Sequence, residues 1–166
     1  MAGLSWIYTT NIIIVGDVYT MLTIDFINFA KKVRETYKKS LKPLAHEINM
    51  SNTALEILMY LSDNLKNNTS REICRALCLK SGIVSFHVEN LVKEMYLERI
   101  NVDGDRRKCG LLLTEKALPI IERAKIYQAK YINALNAGLS QEDIEHIHNI
   151  LLIIEHNIEL MDKGGK

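Results

Sequence analysis

A chain of 166 residues with 48% hydrophobic and 25% charged residues fits one globular domain or a compact two-lobed unit, and excludes a largely disordered polymer. Its formal net charge of +1 is too close to zero for bulk charge to point to a partner. The distribution is more telling. Residues 31–42 hold six cations against one anion, residues 66–108 hold nine against six, and residues 139–162 hold six acids and no Lys or Arg. One face is expected to turn toward a polyanion and another away from it.

The first sixteen residues are uncharged, and WIYTTNIIIV looks membrane-like. It lacks the basic start of a signal peptide, however, and Asp17 and Asp25 cut the run short of the ~20 apolar residues a span requires. Residues 1–16 are expected to form an ordered extension packed on the body or on a partner subunit, with strand and helix both open. From Val18 the apolar residues Leu22, Phe26, Phe29, Val33 and Tyr37 recur at helical spacing, and this helix should stop near Pro43. Ser51 is a plausible N-cap for a second helix carrying Leu55, Leu58, Met59 and Ser62 on one side. NNTS reads as a turn into Thr69-x-x-Glu72, a capping box that opens the short helix REICRALCL. After LKSG a further helix spans about Ser81 to Met95, with Val84, Val88, Leu91 and Met95 facing inward.

Two short helices joined by so brief a turn make a helix-turn-helix candidate. LERINV is strand-like, DGD is a hairpin signal, and KCGLLL returns as a second strand. A helix-turn-helix with a β-hairpin attached is a winged helix. After Thr114 a long helix carries Ile120, Ala124, Tyr127, Tyr131 and Leu135, with Pro119 near its first turn, and ends around Gly138. Ser140-x-x-Asp143 is a second capping box. The last helix repeats Ile144, Ile147, Leu151, Ile154, Ile158 and Met161 as a heptad seam, widened by Ile150, Leu152, Ile153 and Leu160. So much apolar surface calls for a second copy of the chain. A homodimer built from the first and last helices is expected, with Val18, Leu22, Phe26, Ile144, Ile147, Leu151, Ile154 and Ile158 at its interface. The fold class is thus mainly α with a small β-hairpin wing: an extension (1–16), an N-terminal dimerisation helix region (17–50), a winged helix-turn-helix lobe (51–114) and C-terminal dimerisation helices (115–162).

The run DRRKCGLLLTEKA resembles the wing pattern of MarR-family transcriptional regulators, carried here by Asp105, Arg106, Arg107, Leu113, Thr114, Glu115 and Lys116. INMSNTALEILMYL is similar to that family's entry into its second helix, and GIVSFHVENLVKEMYLERI to its recognition helix and first wing strand. The similarity covers roughly residues 18–161. It implies a dimer with intertwined terminal helices, two winged-helix lobes and often a small-molecule pocket between dimer core and lobes. The chain departs from the pattern at Val102, with Asp103 one place late, at Phe86 for a basic residue, and at Tyr96 and Ala117 for glycines.

Three consecutive cations at the hairpin, Arg106, Arg107 and Lys108, repel one another unless an external polyanion balances them, and double-stranded DNA does so with release of counterions. Arginines also suit the narrow minor groove. One of the two arginines is expected to be structural, paired with Asp103 or Asp105, and Arg107 to touch DNA. On the recognition helix Lys80, Ser81, Ser85, Phe86 and Asn90 are the outward candidates for phosphates and base edges, with Asn suited to adenine. Phe86 either meets thymine methyls or packs on the wing or the preceding helix. Glu89 suits orienting a cation or excluding wrong bases, and His87 reads as a half-buried core residue.

Cys74, Cys78 and Cys109 fit a reducing cytoplasm. Cys74 and Cys78 read as neighbours on one helix face, either small core residues or thiols activated by Arg71 and Arg75. No CxxC or HxxxH spacing points to a metal, and no nucleophile–base–acid set, phosphate loop or carboxylate pair points to catalysis, so neither metal, cofactor nor enzyme activity is expected. The expected function is a cytoplasmic, homodimeric, DNA-binding repressor on a pseudo-palindromic site. The resemblance adds a small amphipathic or phenolic effector, with Tyr19, Phe26, Tyr37 and His46 eligible to line its pocket. A winged-helix protein-interaction module and a thiol-based redox regulator are the alternatives, and no membrane partner is expected.

Overall fold

The computed structural model describes the backbone of residues 5–66, 68–101 and 109–164 and the side chains of residues 24–66, 68–100 and 110–162. The elements are α1 (Ser5–Glu47), α2 (Asn52–Asp63), α3 (Ser70–Ala76), α4 (Ser81–Lys93), β1 (Leu97–Asn101), β2 (Cys109–Leu113), a 3₁₀ turn (Glu115–Ala117), α5 (Leu118–Leu135) and α6 (Gln141–Gly164). The fold is mainly helical with one antiparallel hairpin. Two compact units divide the chain, Met1–Gln128 and Ala129–Lys166.

In the first unit the uncharged N-terminal stretch is helical from Ser5 and continuous with the helix that follows. Nor does this helix stop at Pro43: it continues to Glu47 with the proline inside it. An interior proline forfeits one backbone bond and typically costs about 3 kcal/mol. Here Leu41 and Leu44 on either side are fully buried and Ala45 nearly so. At about 1.5–3 kcal/mol per buried leucine, that packing offsets the cost.

Three helices end in the same way. At the end of α1 the Asn49 N–H reaches the His46 carbonyl and Met50 reaches Ala45. After α3 Cys78 reaches Arg75 and Leu79 reaches Cys74, and after α4 Met95 reaches Val92 and Tyr96 reaches Leu91. Each is a Schellman closure, and Asn49, Cys78 and Met95 adopt the left-handed φ of 52°, 50° and 60° that it demands. Met95 was expected to face inward with Val84, Val88 and Leu91. Those three are buried, but Met95 lies past the last helical turn and is 68% exposed.

Helix α2 is the centre of the unit. Ser51 caps it, its Oγ accepting from the Ala54 N–H at 3.1 Å. Ala54, Ile57, Leu58 and Leu61 join Ile73 of α3, Val84, Val88 and Leu91 of α4, Leu97 of β1, Leu111 of β2, Ala117 and Ile121 in one core. Leu55 and Met59 turn the other way, against Leu41, Leu44 and Ala45 of α1 and Ala124 of α5. Strands β1 and β2 pair in register Leu97↔Leu113 through Asn101↔Cys109. An isolated antiparallel bridge from Thr69 to Gly110 ties the approach to α3 to the hairpin.

In the second unit Ser140 and Asp143 close the expected capping box, Ser140 N–H donating to Asp143 Oδ2 at 2.9 Å and Asp143 N–H to Ser140 Oγ at 3.1 Å. The Ser140 hydroxyl holds the Asp143 carboxyl below its ordinary range. Ile147, Leu151 and Ile158 are exposed on α6, with Ile144 and Ile154 half-buried. On α1 Ile24, Phe26, Ile27 and Phe29 are exposed as well. Val18 and Leu22 belong to the α1 backbone, and their side chains lie outside the described residues. Among the described residues no helix is long and apolar enough to cross a membrane.

Candidate nucleic-acid interface

The helix-turn-helix is set by local chemistry at both helices. Thr69 caps α3 reciprocally with Glu72: Thr69 N–H donates to Glu72 Oε2 at 2.9 Å, and Glu72 N–H donates to Thr69 Oγ1 at 3.4 Å. The Cys78 closure then turns the chain, and Lys80 starts α4 with no side-chain bond at its cap. With Val84, Val88 and Leu91 buried, the opposite face of α4 and its N-terminal end are presented outward. Lys80, Ser81, Ser85, Phe86 and Asn90 are all exposed there, and nothing lies within 4 Å of where Gly82 would carry a Cβ. Two hydroxyls, an amide and a cation on the exposed side and N-terminal end of one helix can donate to phosphate oxygens and pair with base edges.

Phe86 is 62% exposed. Its ring meets His87 edge-on at 5.2 Å and an interplanar angle of 76°, and it borders a shallow cavity of about 190 Å³ that Asn90 also lines. His87 is half-buried, as its place in the helix suggested. Burial pushes its pKa down, and its Nδ1 shares a hydrogen bond with the Ser51 hydroxyl at 3.3 Å. Glu89 does engage a cation, forming an ion pair with Arg99 of β1 that links α4 to the root of the hairpin. Arg99 is a contributor the sequence reading missed, although its charge inside LERINV was visible. Arg106, Arg107 and Lys108 lie outside the described residues, as do Asp103 and Asp105.

The return from the wing is fastened to the end of α4. Thr114 N–H donates to the Tyr96 carbonyl at 3.1 Å, Thr114 Oγ1 to the Met95 carbonyl at 2.6 Å, and Lys116 Nζ to the Glu94 carbonyl at 2.7 Å. The Lys116 ammonium also sits 4.3 Å above the Tyr96 ring. The Leu-Thr-Glu-Lys run therefore has a structural task, holding the hairpin at a fixed angle to the helix before it.

Beside this lobe, a cleft of about 250 Å³ is lined by Arg34 and Tyr37 of α1, Glu56, Met59 and Tyr60 of α2, Asp63, Asn64, Leu77 and Gln128. Arg34 donates to the Leu77 carbonyl across it. Of the eligible lining residues only Tyr37 is found there: Phe26 and His46 are exposed elsewhere on α1, and the Tyr19 side chain lies outside the described residues. No spacing in the sequence announces the cleft, because its walls come from segments far apart in the chain.

The thiols require a correction. Cys74 is half-buried in α3, whereas Cys78 lies past its end, exposed, in the left-handed closure. The two do not share a helix face, and Cys78 is not a core residue. The Cys109 side chain is outside the described residues. No group of three His, Cys, Asp or Glu among the described residues is placed to hold a metal ion.

No protein-family model matches the chain. It is 26% identical over 133 residues to the HTH-type transcriptional regulator TcaR of Staphylococcus aureus, strains Newman and COL, a span of 79% of this chain and 87% of the relative. Among solved structures it is similar to a MarR protein from Peptoclostridium difficile (TM-score 0.71, 15% identity, 85% of this chain and 92% of that one). It is also similar to a MarR family transcriptional regulator from Listeria monocytogenes complexed with 26mer DNA (TM-score 0.69, 16% identity, 87% and 95% covered). A third likeness is to the S. aureus MepR–DNA complex (TM-score 0.63, 21% identity, 78% and 93% covered). This is the MarR-family winged-helix fold.

Within the MarR fold the departures noted in the sequence take on physical meaning. Tyr96, at the pattern's glycine before the first wing strand, packs partly buried against the main core. The residue with positive φ is its neighbour Met95. Ala117, at the other glycine, is fully buried.

Proposed function

We infer that this chain is a cytoplasmic transcriptional regulator that binds duplex DNA as a homodimer on a pseudo-palindromic site. The observation that carries the reading is α4 itself. It is the second helix of a helix-turn-helix, with three aliphatic residues buried on one face, Lys80 and Ser81 exposed at its N-terminal end, and Ser85 and Asn90 exposed along its side. The wing cations Arg106, Arg107 and Lys108 supply the complementary phosphate or minor-groove contact. Dimerisation through α1 and α6 accounts for the exposed Phe26, Ile147, Leu151 and Ile158. A dimer spaces two recognition helices about one helical turn apart. The regulator acts as a repressor, and a small amphipathic or phenolic effector seated in the cleft beside α2 relieves it.

Fluorescence anisotropy with labelled duplex from upstream of its own gene tests the reading. Site-selective binding that falls steeply as salt is added is expected. Equal affinity for random duplex refutes it and favours a winged-helix module that docks on an acidic protein.

A further inference from the structure

The cleft beside α2 has a chemical bias. Two of the three charged side chains that line it are acids, Glu56 and Asp63, and the third is Arg34. Asp63 is already engaged, accepting from Lys125 Nζ at 2.8 Å and from Ser62 Oγ at 3.1 Å. Glu56 is different: it is only 6% exposed, and its Oε2 has no hydrogen-bond partner. Native proteins leave few buried acceptors in that condition, because each forfeits its hydration with no return. Arg34 donates to the Leu77 carbonyl, and it and Lys38 act on the Glu56 carboxyl through their charge alone, which leaves Oε2 without a donor. Beside Asn64, Leu77 and Gln128, the walls include two phenol rings, Tyr37 and Tyr60, and the Met59 thioether, which lies 3.8 Å from the Tyr37 hydroxyl. Aromatic faces and polarisable sulfur around a lone acceptor complement a compact ring bearing a cationic donor. A volume of about 250 Å³ admits a single ring with a short side chain and little more.

We propose that this cleft takes a small aromatic amine in its protonated form, its ammonium donating to Glu56 and its ring lying among Tyr37, Tyr60 and Met59. The proposal rests on the reading of the cleft as an effector site and narrows that effector to a monocation. An anionic analogue of the same shape would bring a carboxylate toward Glu56 and Asp63. A neutral phenol would supply a donor without the charge. The seat also has a route to the DNA-binding helix. A cation placed beside Arg34 repels its guanidinium and weakens the bond to Leu77, the residue at the close of α3 that leads into the turn before α4.

Isothermal titration calorimetry on the full chain, with 2-phenylethylamine and 3-phenylpropionate as probes, decides the matter. The amine is expected to bind about tenfold or more tightly than the carboxylate, the range of one charge-assisted hydrogen bond, and Glu56→Gln should erase that preference. Glu56→Asp should retain part of it. Circular dichroism verifies that each variant is folded. Equal affinities, a preference for the carboxylate, an unchanged ratio in Glu56→Gln, or no binding of either probe at millimolar concentration overturns the proposal. Anisotropy on the upstream duplex without any probe separates the two ideas. Selective DNA binding without amine binding sinks the cation site alone. Amine binding without selective DNA binding sinks the regulatory reading and leaves the cation site standing.

Discussion

Replacing Met95 by glycine should stabilise the protein, and its neighbour Tyr96 supplies the control. Met95 closes α4 with a φ of 60°, a conformation that costs a residue bearing a Cβ about 1–2 kcal/mol. Its side chain is 68% exposed, so truncation forfeits little burial. Glycine returns about 0.4–1 kcal/mol of that gain through the greater freedom of the unfolded chain. A net gain of about 0.5–1 kcal/mol remains, which for a chain of this length raises Tm by about 1–4 °C. Tyr96→Gly should do the opposite. It removes a partly buried ring from the core and from beneath the Lys116 ammonium. Thermal unfolding followed by far-UV circular dichroism, at matched protein concentration because the Tm of the proposed dimer depends on it, distinguishes the two. A Met95→Gly protein that melts at or below the parent, or a Tyr96→Gly protein that melts above it, refutes the assignment of the left-handed position to residue 95.

Burial raises the Glu56 pKa above its ordinary 4.5, partly opposed by the charges of Lys38 and Arg34. A raised carboxyl is no liability below 4.5, where both folded and unfolded chains are protonated, and becomes one as pH rises through the folded value. Glu56→Gln should therefore melt higher than the parent at neutral pH, with the gap closing toward pH 4; a gap that widens on acidification contradicts this sign. On DNA, Asn90→Ala should cost about 1–3 kcal/mol and relax selectivity at one base position. Lys80→Ala should instead weaken all sequences alike and reduce the salt slope by about 1. Anisotropy over a salt series reads both, and a sequence-selective loss in Lys80→Ala counts against its phosphate role. Placing Glu at both Leu151 and Ile158 should give monomers in analytical ultracentrifugation and abolish operator binding; a variant that remains dimeric removes α6 from the interface.

What could be read from the sequence was what local chemistry decides. Thr69 with Glu72 and Ser140 with Asp143 sit three residues apart, and both capping boxes form as their spacing implies. The inward triad Val84, Val88 and Leu91 follows from helical period, and the hairpin from two strand-like runs on either side of DGD. The misses share a different cause. Pro43 sits inside α1 because leucines beside it bury against another helix, and periodicity along one segment carries no information about that. Met95 and Cys78 looked like the next residues of their helices, but the Schellman closures place them beyond the end. The cleft was invisible for the same reason: Arg34 reaches Leu77 across 43 residues, and Asp63 meets Lys125 across 62.

Placement on α2 gives the cleft its leverage. One side of this helix is locked into the core shared with α3, α4 and the hairpin, and another into the core shared with α1 and α5. Glu56 lies between Leu55 and Ile57, which belong to the two cores respectively. Close-packed interiors resist compression and pass displacement on instead of absorbing it. A group forced against Glu56 therefore cannot be accommodated by α2 alone. Either α1 yields, or the α3–α4 pair moves with the helix that anchors it. For a homodimer on DNA as proposed, either change alters the spacing that a second lobe must match on the duplex, while the exposed side chains of α4 stay as they are.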